Sequence, residues 1–528
     1  MPEIHTPRAQ NPAGVRVPSA RVLAPEDIRR QSLIAAVLCV FAALRVLTCL
    51  LAFPFFAATD EQLHLDAIIQ YGHGYVPHNP LPNVTPEPAR LIDLYQSTEF
   101  LAHAPPFAVR NDGWCAPAMD VAPGPGIVTG YWVQHPNEEI NQSRPYYRIA
   151  SWWYGLGRSL GYSGIFRLYW SRSLNALFYG LTVWFGYLFA RRCYGSESFL
   201  PLALCLMLLA FPQDIFFVLN PNAWFPAFFT ASLYLLAVIA TDGVALYRIY
   251  VATGILCALT FLLGFGNFSI FFPLLYVAIA NSKAATPRSR KAITLLLLAA
   301  AVPIACWAIR NRILLGDWTG TASKLSDLGW TTKPLSQIFH HPIFSSHGFW
   351  YFVSTLSHNF WRGEIPWHGA PRVSWIDWLY LFSTVVLAVT FLWRIFHQEE
   401  RPFAERFADR CSLAIACFSV FFLICLSLRY DFGTTYYPSR ALPYFVSGRL
   451  IIGTLVPFLL IYLRGLELLW KRALPRLSPF IPVLALVLCM GIVESPALRP
   501  VFASPYNFYG AVARRGCNLP SFADQLRR

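Results

Sequence analysis

The residue types best suited to chemistry stand together at Asp60, Glu61 and His64, directly after the first long apolar segment of the chain. A carboxylate there can remove the proton of an attacking hydroxyl, or it can bind a divalent cation that bridges phosphate oxygens. Charge at the edge of a membrane is costly unless it faces water, a partner or a substrate. The alternative is an ordinary polar loop that ends a helix, because charged residues are common at membrane edges.

A second group of charged residues follows or precedes later apolar segments. Its members are Arg310, Arg312, Asp317, Arg429, Asp431, Arg440 and Arg449. The planar guanidinium of arginine matches pairs of phosphate oxygens and stays charged close to lipid. Carboxylates beside several arginines therefore suit a phosphorylated lipid and a hydroxyl nucleophile. The alternative for Arg310, Arg312 and Arg449 is that they only reach the lipid–water boundary or pair with carboxylates there.

The elements that must position these residues are membrane-spanning helices. Of the 528 residues, 55% are hydrophobic and only 13% are charged, whereas a soluble domain has about 25% charged residues. The net charge of +14 comes largely from basic residues in short loops between apolar segments, which is typical of cytoplasmic loops. No basic-aromatic repeat indicates nucleic acid, and the sequence has no Walker-type loop and no GxSxG, GxGxxG or HExxH motif.

The apolar segments predict about eleven spans of roughly 20 residues each. Arginines precede the first span and place the N-terminus in the cytoplasm, and the alternation of sides leaves the C-terminus outside. The predicted parts are a cytoplasmic tail (1–31), the first span (32–56), an outer segment (57–166), spans two to seven (167–309), a second outer segment (310–374), spans eight to eleven (375–495) and an outer tail (496–528).

Some of these predictions leave alternatives open. Residues Tyr146–Leu160 mix Trp and Tyr with Arg, which predicts a helix lying in the membrane interface; a buried helix of the outer segment is the alternative. The third span is predicted over residues 199–219 and the eleventh over 479–493. Spans five and six are short, and a re-entrant pair is an alternative for them. Cys115 and Cys517 both fall in outer parts, where they could form a disulfide.

The Asp-Glu pair in the first outer loop resembles the hallmark of the GT-C superfamily of membrane glycosyltransferases. The chain resembles more closely the bacterial domain-of-unknown-function 2142 family. The matching stretches are Thr59-Asp60-Glu61-Gln62-Leu63-His64, Asn220-Pro221-Asn222-Ala223, Arg310 to Gly320, Phe360-Trp361-Arg362-Gly363 and Ser447-Gly448-Arg449. Each motif is weak by itself, but the five in the family's order are fairly specific.

The chain also departs from the family pattern. Thr59 and Trp318 stand where the family has Pro, and Leu450 stands where it has Tyr. The stretch that begins at Asn220 lacks the acidic residue expected there, so a metal-binding role for this loop is in doubt.

The resemblance implies an all-α, GT-C-like bundle and an inverting transfer of a sugar from a polyprenyl-phosphate donor to an envelope glycan, lipid or protein. Asp60 would be the catalytic base or its metal-binding equivalent, and Glu61 and His64 would orient Asp60 or the acceptor. A divalent cation, Mg²⁺ or Mn²⁺, held by Asp60 and Glu61 is one form of this hypothesis. The substrate-binding residues expected from the motifs and the outer charges are Arg310, Arg312, Asp317, Trp361, Arg440 and Arg449.

The expected setting is the outer face of the bacterial cytoplasmic (inner) membrane, with lipid but no nucleic acid among the partners. A lipid donor would explain why the sequence carries no nucleotide-binding motif. Two other classes of function stay open. A carrier or flippase for lipid-linked saccharides would need the arginines but no acid beside the acceptor. A scaffold of an envelope complex would have lost the chemistry altogether.

Overall fold

The computed structural model describes residues 25–56, 60–95, 127–142, 144–242, 246–283, 287–364, 374–397, 401–433, 435, 438–504 and 506–513. Within these ranges regular structure is almost entirely helical, apart from one two-stranded ribbon in which Thr331 pairs antiparallel with Asp431. Thr59, Cys115 and Cys517 lie outside the described residues, as do residues 1–24 of the predicted cytoplasmic tail.

The described residues form a series of α-helices. In chain order they are α1 (Pro25–Ala52), α2 (Glu61–Gly72), α3 (Pro86–Tyr95), α4 (Ile127–Trp132), α5 (Arg144–Ser159), α6 (Gly164–Arg172), α7 (Leu174–Tyr194), α8 (Leu200–Ala210), α9 (Phe225–Asp242), α10 (Tyr247–Leu263), α11 (Phe271–Lys283), α12 (Pro287–Leu315), α13 (Ala322–Asp327), α14 (Leu335–Ile338), α15 (Ser346–Trp361), α16 (Ser374–His397), α17 (Phe403–Arg429), α18 (Leu455–Ala473), α19 (Phe480–Ala503) and α20 (Phe508–Ala513). Short 3₁₀ turns occur at Asp214–Phe217, Pro221–Trp224, Phe265–Ile270, Pro342–Phe344 and Gly448–Thr454. The strands of the ribbon are β1 (Thr331–Thr332) and β2 (Tyr430–Asp431).

Among the described residues, 8 helical stretches are long and apolar enough to cross a membrane. They contain α1, α6 with α7, α9, α12, α16, α17, α18, and α19 with α20. The shorter apolar helices α8, α10 and α11 stand where spans three, five and six are predicted. The chain is therefore an all-α polytopic membrane protein, as the sequence predicts. The boundaries of the predicted inner and outer parts stay predictions, because the structure contains no membrane.

Two helices end at places other than those predicted. α8 ends at Ala210, because Pro212 follows and lacks the N–H that a further helical turn requires. The chain then continues through the 3₁₀ turn Asp214–Phe217, so a single helix does not reach residue 219. α19 continues past residue 493 with Pro496 and Pro500 inside it, because apolar residues continue along the same helix.

One end of the helical bundle carries a layer of shorter helices that includes α2 and α5, and we call this end of the bundle the site end. α2 and α5 pack against each other there, with the rings of Tyr71 and Tyr147 5.4 Å apart. α5 buries Tyr146 and Tyr147 on one face and exposes Arg148 and Trp152 on another. α5 thus has the exposed basic and aromatic face expected of an interfacial helix. It also has the packed face expected of the alternative, a buried helix of the outer segment.

The opposite end is fixed by buried ion pairs. Arg464 of α18 contacts Glu405 of α17 and Glu467 of its own helix at 2.7 Å each, and it lies 3.8 Å from Asp409. The hydroxyl of Tyr194, the last residue of α7, donates to Asp409 at 2.8 Å. These contacts fix α18 against α7 and α17. Because α18 follows directly on the 3₁₀ turn Gly448–Thr454, these contacts also fix the position of that turn and of its residue Arg449 at the site end.

A fully buried ion pair sets the geometry of the site end. Glu61, the first residue of α2, meets Arg172 of α6 through hydrogen bonds of 2.7 and 2.8 Å, and both side chains are 0% exposed. The Glu61 carboxylate also accepts the backbone N–H groups of Phe56 and Leu219 at 2.8 Å each. Every oxygen of this carboxylate is therefore engaged by donors of the protein itself.

Arg172 also caps the C-terminal end of α1. The last carbonyl groups of a helix have no partner within it. Arg172 donates to the carbonyl oxygens of Leu50, Phe53 and Pro54 at 3.3, 2.6 and 3.1 Å. The prediction that Glu61 takes part in catalysis or metal binding is therefore corrected. Its side chain is sealed against Arg172, and its function is to join α1, α2, α6 and the loop before residue 220.

We expect Arg172→Ala to lower the free energy of unfolding by about 3–5 kcal/mol, because it leaves the Glu61 carboxylate buried without its counter-charge. The measurement is SDS-titration unfolding in mixed micelles. The control is Arg158→Ala, which removes an exposed arginine of α5 and should change the free energy by about 0.5 kcal/mol or less. Equal losses in the two variants would contradict the role given to Arg172.

Candidate active site

Asp60 lies just before α2 and contacts Arg449 across the site end. Nη2 of Arg449 donates to Oδ2 of Asp60 at 2.9 Å. The Asp60 side chain is 28% exposed and that of Arg449 is 18% exposed, so both remain within reach of a bound molecule. Asp60 has a φ of 67°, a left-handed conformation that is uncommon outside glycine. Because of this turn, the two neighbouring carboxylates point to different surroundings. The Glu61 side chain is buried in the bundle, whereas the Asp60 side chain is partly exposed.

A second carboxylate, Glu364, shares Arg449 with Asp60. Nε of Arg449 lies 3.4 Å from Oε2 of Glu364, and the Ser447 hydroxyl donates to Oε1 at 2.5 Å. Glu364 follows Gly363, whose φ is 103° and where an added Cβ would stand 1.9 Å from Oδ1 of Asp214. Only glycine allows this close approach. Glu364 is absent from the predicted site; the available signal is its place directly after the Phe-Trp-Arg-Gly segment.

His64 is held between two neighbours one turn into α2. Nδ2 of Asn220 lies 3.0 Å from Nε2 of His64, and the Tyr147 hydroxyl lies 2.8 Å from Nδ1. Because the amide N–H donates to Nε2, the ring carries its proton on Nδ1 and donates it to Tyr147. Burial lowers the pKa of His64, so the ring is neutral at neutral pH. His64 thus connects the Asn220 loop to α5, and its predicted role in orienting Asp60 or the acceptor stays a prediction.

Lys324 adds a cation to this group, and it too is absent from the predicted site. It extends from α13 to form an ion pair with Glu139. The preceding loop is ordered by Asp317, whose carboxylate accepts the backbone N–H groups of Thr321 and Ala322 at 2.8 and 3.1 Å. The prediction that Asp317 binds substrate is therefore corrected, because its oxygens are used to start α13.

The surrounding charges keep Asp60 ionised. Burial would raise the pKa of Asp60, but Arg449 and Lys324 outweigh burial and hold this pKa below its ordinary value. Burial would lower the pKa of Lys324, but Glu139 and Asp60 raise it, so the amine is protonated. At neutral pH the site therefore presents an ionised carboxylate under the influence of two cations.

Several predicted substrate residues lie elsewhere. Trp361 is 1% exposed and stacks on Tyr380 at 4.7 Å, so it packs between helices and is closed to a sugar. Arg440 is 72% exposed and pairs with Asp431 beside the ribbon, which gives it a local partner in place of the predicted substrate. Within the described ranges, Arg310 and Arg312 form no ion pair with Asp60.

Arg312 instead donates to the carbonyl of Gly316, just beyond the end of its own helix. Its side chain is exposed. Arg310 is also exposed, near Tyr71 at the far end of α2. A donor-phosphate role for these two arginines stays a prediction.

The described residues do not fit a resident metal ion. Among them, no group of 3 or more His, Cys, Asp or Glu side chains is arranged to hold one. Asp60 and Glu364 share Arg449, so positive charge already lies between these two carboxylates. Glu61, the other predicted ligand, is sealed against Arg172. The hypothesis of an Mg²⁺ or Mn²⁺ held by Asp60 and Glu61 together therefore does not fit these two side chains.

No family model matches the sequence, and no curated protein matches it. Among solved structures, the crystal structure of the Archaeoglobus fulgidus oligosaccharyltransferase in complex with Zn and sulfate is similar, with 12% sequence identity and a TM-score of 0.42. The match covers 89% of this chain and 53% of the other, so this chain spans about half the length of the protein it matches. The resemblance to the domain-of-unknown-function 2142 family stays a prediction.

The carboxyl group of Glu138, beside this site, should make stability depend on pH. Burial raises the pKa of Glu138 from 4.5 to about 8, and the hydrogen bond that the protonated Glu138 carboxyl donates to Asp327 acts in the same direction, although Lys324 opposes it. Between these values the folded chain binds one proton more than the unfolded chain, so stability falls as the pH rises toward about 8.

We expect the melting temperature, followed by circular dichroism in detergent, to decrease over this pH range. Glu138→Gln should flatten the decrease, because the amide mimics the protonated carboxyl. Glu87→Gln removes a carboxylate that is 49% exposed and should leave the slope unchanged. A slope that Glu138→Gln leaves intact would refute this assignment.

Proposed function

We propose that the chain is a membrane glycosyltransferase that moves a sugar from a polyprenyl-phosphate-linked donor to a hydroxyl group of an envelope acceptor. The observation that carries this proposal is the contact of Asp60 with Arg449, with both side chains partly exposed. The five ordered sequence motifs support the class of reaction. The distribution of basic loops supports the outer face of a bacterial cytoplasmic membrane, with the N-terminus inside.

Asp60 acts as the general base in this proposal. Its carboxylate accepts the proton of the acceptor hydroxyl while that oxygen forms a bond to C1 of the sugar. The bond from C1 to the phosphate oxygen breaks, and the polyprenyl phosphate leaves with the electron pair. Attack on the face opposite the leaving group inverts the configuration at C1. Because Asp60 is a weak base, proton transfer occurs late, when the sugar has gained positive charge.

The neighbours of Asp60 hold this base in place. Arg449 fixes the orientation of the carboxylate, and Glu364 and Ser447 in turn hold Arg449. A base held in one geometry contributes more than a mobile one, because the reacting atoms are already aligned. Lys324 supplies a nearby positive charge that favours the negative charge developing on the leaving phosphate.

The test is product analysis with defined polyprenyl-phosphate sugars and the full-length protein in detergent or nanodiscs. We expect Asp60→Asn to reduce turnover by about 10²–10⁴-fold, because the amide cannot accept the proton, and to leave donor binding intact. Asp431→Asn is the matched control. It alters a carboxylate whose partner Arg440 is 72% exposed, and it should leave turnover unchanged.

The carrier hypothesis gives a different outcome in the same experiment. A carrier does not need a base, so Asp60→Asn would move the lipid-linked sugar across vesicle membranes at the rate of the original protein. Transfer by Asp60→Asn at the original rate would refute the catalytic role of this residue.

A further inference from the structure

We propose that Arg144, Arg148 and Arg310 form a binding site for a phosphate group, separate from the contacts of Asp60. The three arginines all lie close enough to Tyr71, at the C-terminal end of α2, for their charges to act on it. The guanidinium of Arg148 lies 5.9 Å from the centre of the Tyr71 ring. Arg144 begins α5 and Arg310 lies near the end of α12, so the cluster joins three helices.

Arg144 has unused hydrogen-bond donors although it is buried. Its side chain is 7% exposed, and Nη2 donates to Oδ1 of Asn311 at 2.5 Å. Nε and Nη1 are shielded from water and have no partner. Leaving charged donors unpaired in a buried position is costly, so such groups are normally paired. The guanidinium therefore has two N–H groups to offer an acceptor that the described residues do not supply.

The neighbours of this guanidinium are neutral or positive. The hydroxyl of Tyr71 donates to the carbonyl of Ile140 at 3.2 Å, and that of Tyr75 donates to Asn141 at 3.1 Å. The charged side chains that most affect Arg144 are Arg310 and Arg148. Within the described ranges, none of these three arginines forms an ion pair with a carboxylate. This contrasts with Arg172, Arg449 and Arg464, each of which does.

An anion resolves this excess of positive charge. A phosphate group fits better than a single carboxylate, because it carries more oxygens and up to two charges to share among several guanidiniums. Arg148 and Arg310 are exposed and meet an incoming anion first. Arg144 is buried, and its unpaired N–H groups become partners of the anion once it is bound.

The position of Arg310 indicates where the phosphate comes from. Arg310 stands near the end of a helix long enough to cross a membrane, which is the depth of lipid headgroups. Ile309 and Ile313 beside it are 51% and 75% exposed, as expected of side chains that face acyl chains. A lipid monophosphate can therefore place its phosphate on the arginines and its chain along α12. This lipid source rests on the proposed function, whereas the phosphate site itself does not.

The test measures binding of two probes to the full-length protein in detergent by isothermal titration calorimetry. The probes are a short-chain polyprenyl monophosphate and inorganic phosphate. We expect Arg144→Gln and Arg310→Gln each to weaken binding of the lipid by about tenfold or more, because each removes charge-assisted hydrogen bonds. Arg158→Gln, at the other end of α5, removes an exposed arginine and should leave the affinity unchanged.

Each outcome decides the proposal. Arginine-dependent binding of the lipid alone supports a headgroup site, and the same dependence with inorganic phosphate supports a site for the free ion. No binding of either probe, or binding that neither substitution weakens, overturns the proposal. If Arg144→Gln fails to fold, the exposed Arg310 still provides the test. Asp60→Asn should bind both probes as the original protein does, so a failure of the proposed chemistry is distinguishable from a failure of this site.

Discussion

The salt bridge between Glu61 and Arg172 is the interaction on which the rest of the site end depends. Moving a charged side chain from water into a buried position costs roughly several kcal/mol per charge, unless hydrogen bonds satisfy the charge completely. Here the carboxylate accepts from Arg172 and from the backbone of Phe56 and Leu219, and the guanidinium also donates to carbonyl groups at the end of α1. Because the partners come from four parts of the chain, one pair fixes their relative positions. The positions of the residues on the open side of the site therefore depend on this ion pair.

The backbone around this pair is bent into conformations that few side chains adopt. Phe56 and Asp60 have φ values of 61° and 67°. Such conformations cost about 1–3 kcal/mol each and persist where surrounding contacts enforce them, often at functional sites. The bend gives two adjacent carboxylates opposite tasks, since one is closed to water and the other is partly open. The position of Asp60 therefore depends on a neighbour whose own side chain is closed to any bound molecule.

The sequence predicts the fold class well, because long apolar segments and basic loops are local signals. It also places Asp60 and Arg449 in one hypothetical site, and the structure brings them into contact across 389 residues of chain. Lys324 and Arg172 could not be found in the same way, since each is brought to the site by packing between distant segments, and the only sequence signal for Glu364 is its place after the Phe-Trp-Arg-Gly segment. Conversely, Trp361 and Asp317 resemble binding residues in the sequence but are used for packing and for loop hydrogen bonds. Residue type and the positions of long apolar helices are readable from sequence, whereas the partner of each side chain is not.

The meeting of Asp60 with Arg449 has a consequence for how the protein is made. Asp60 emerges from the ribosome early, and Arg449 emerges only when most of the spans have been synthesised. The pair cannot form until both segments are in the membrane, so a half-made chain holds the carboxylate without the arginine that orients it. Under the proposed function, activity would then begin only after nearly the whole chain has been inserted, and a truncated product would be inactive.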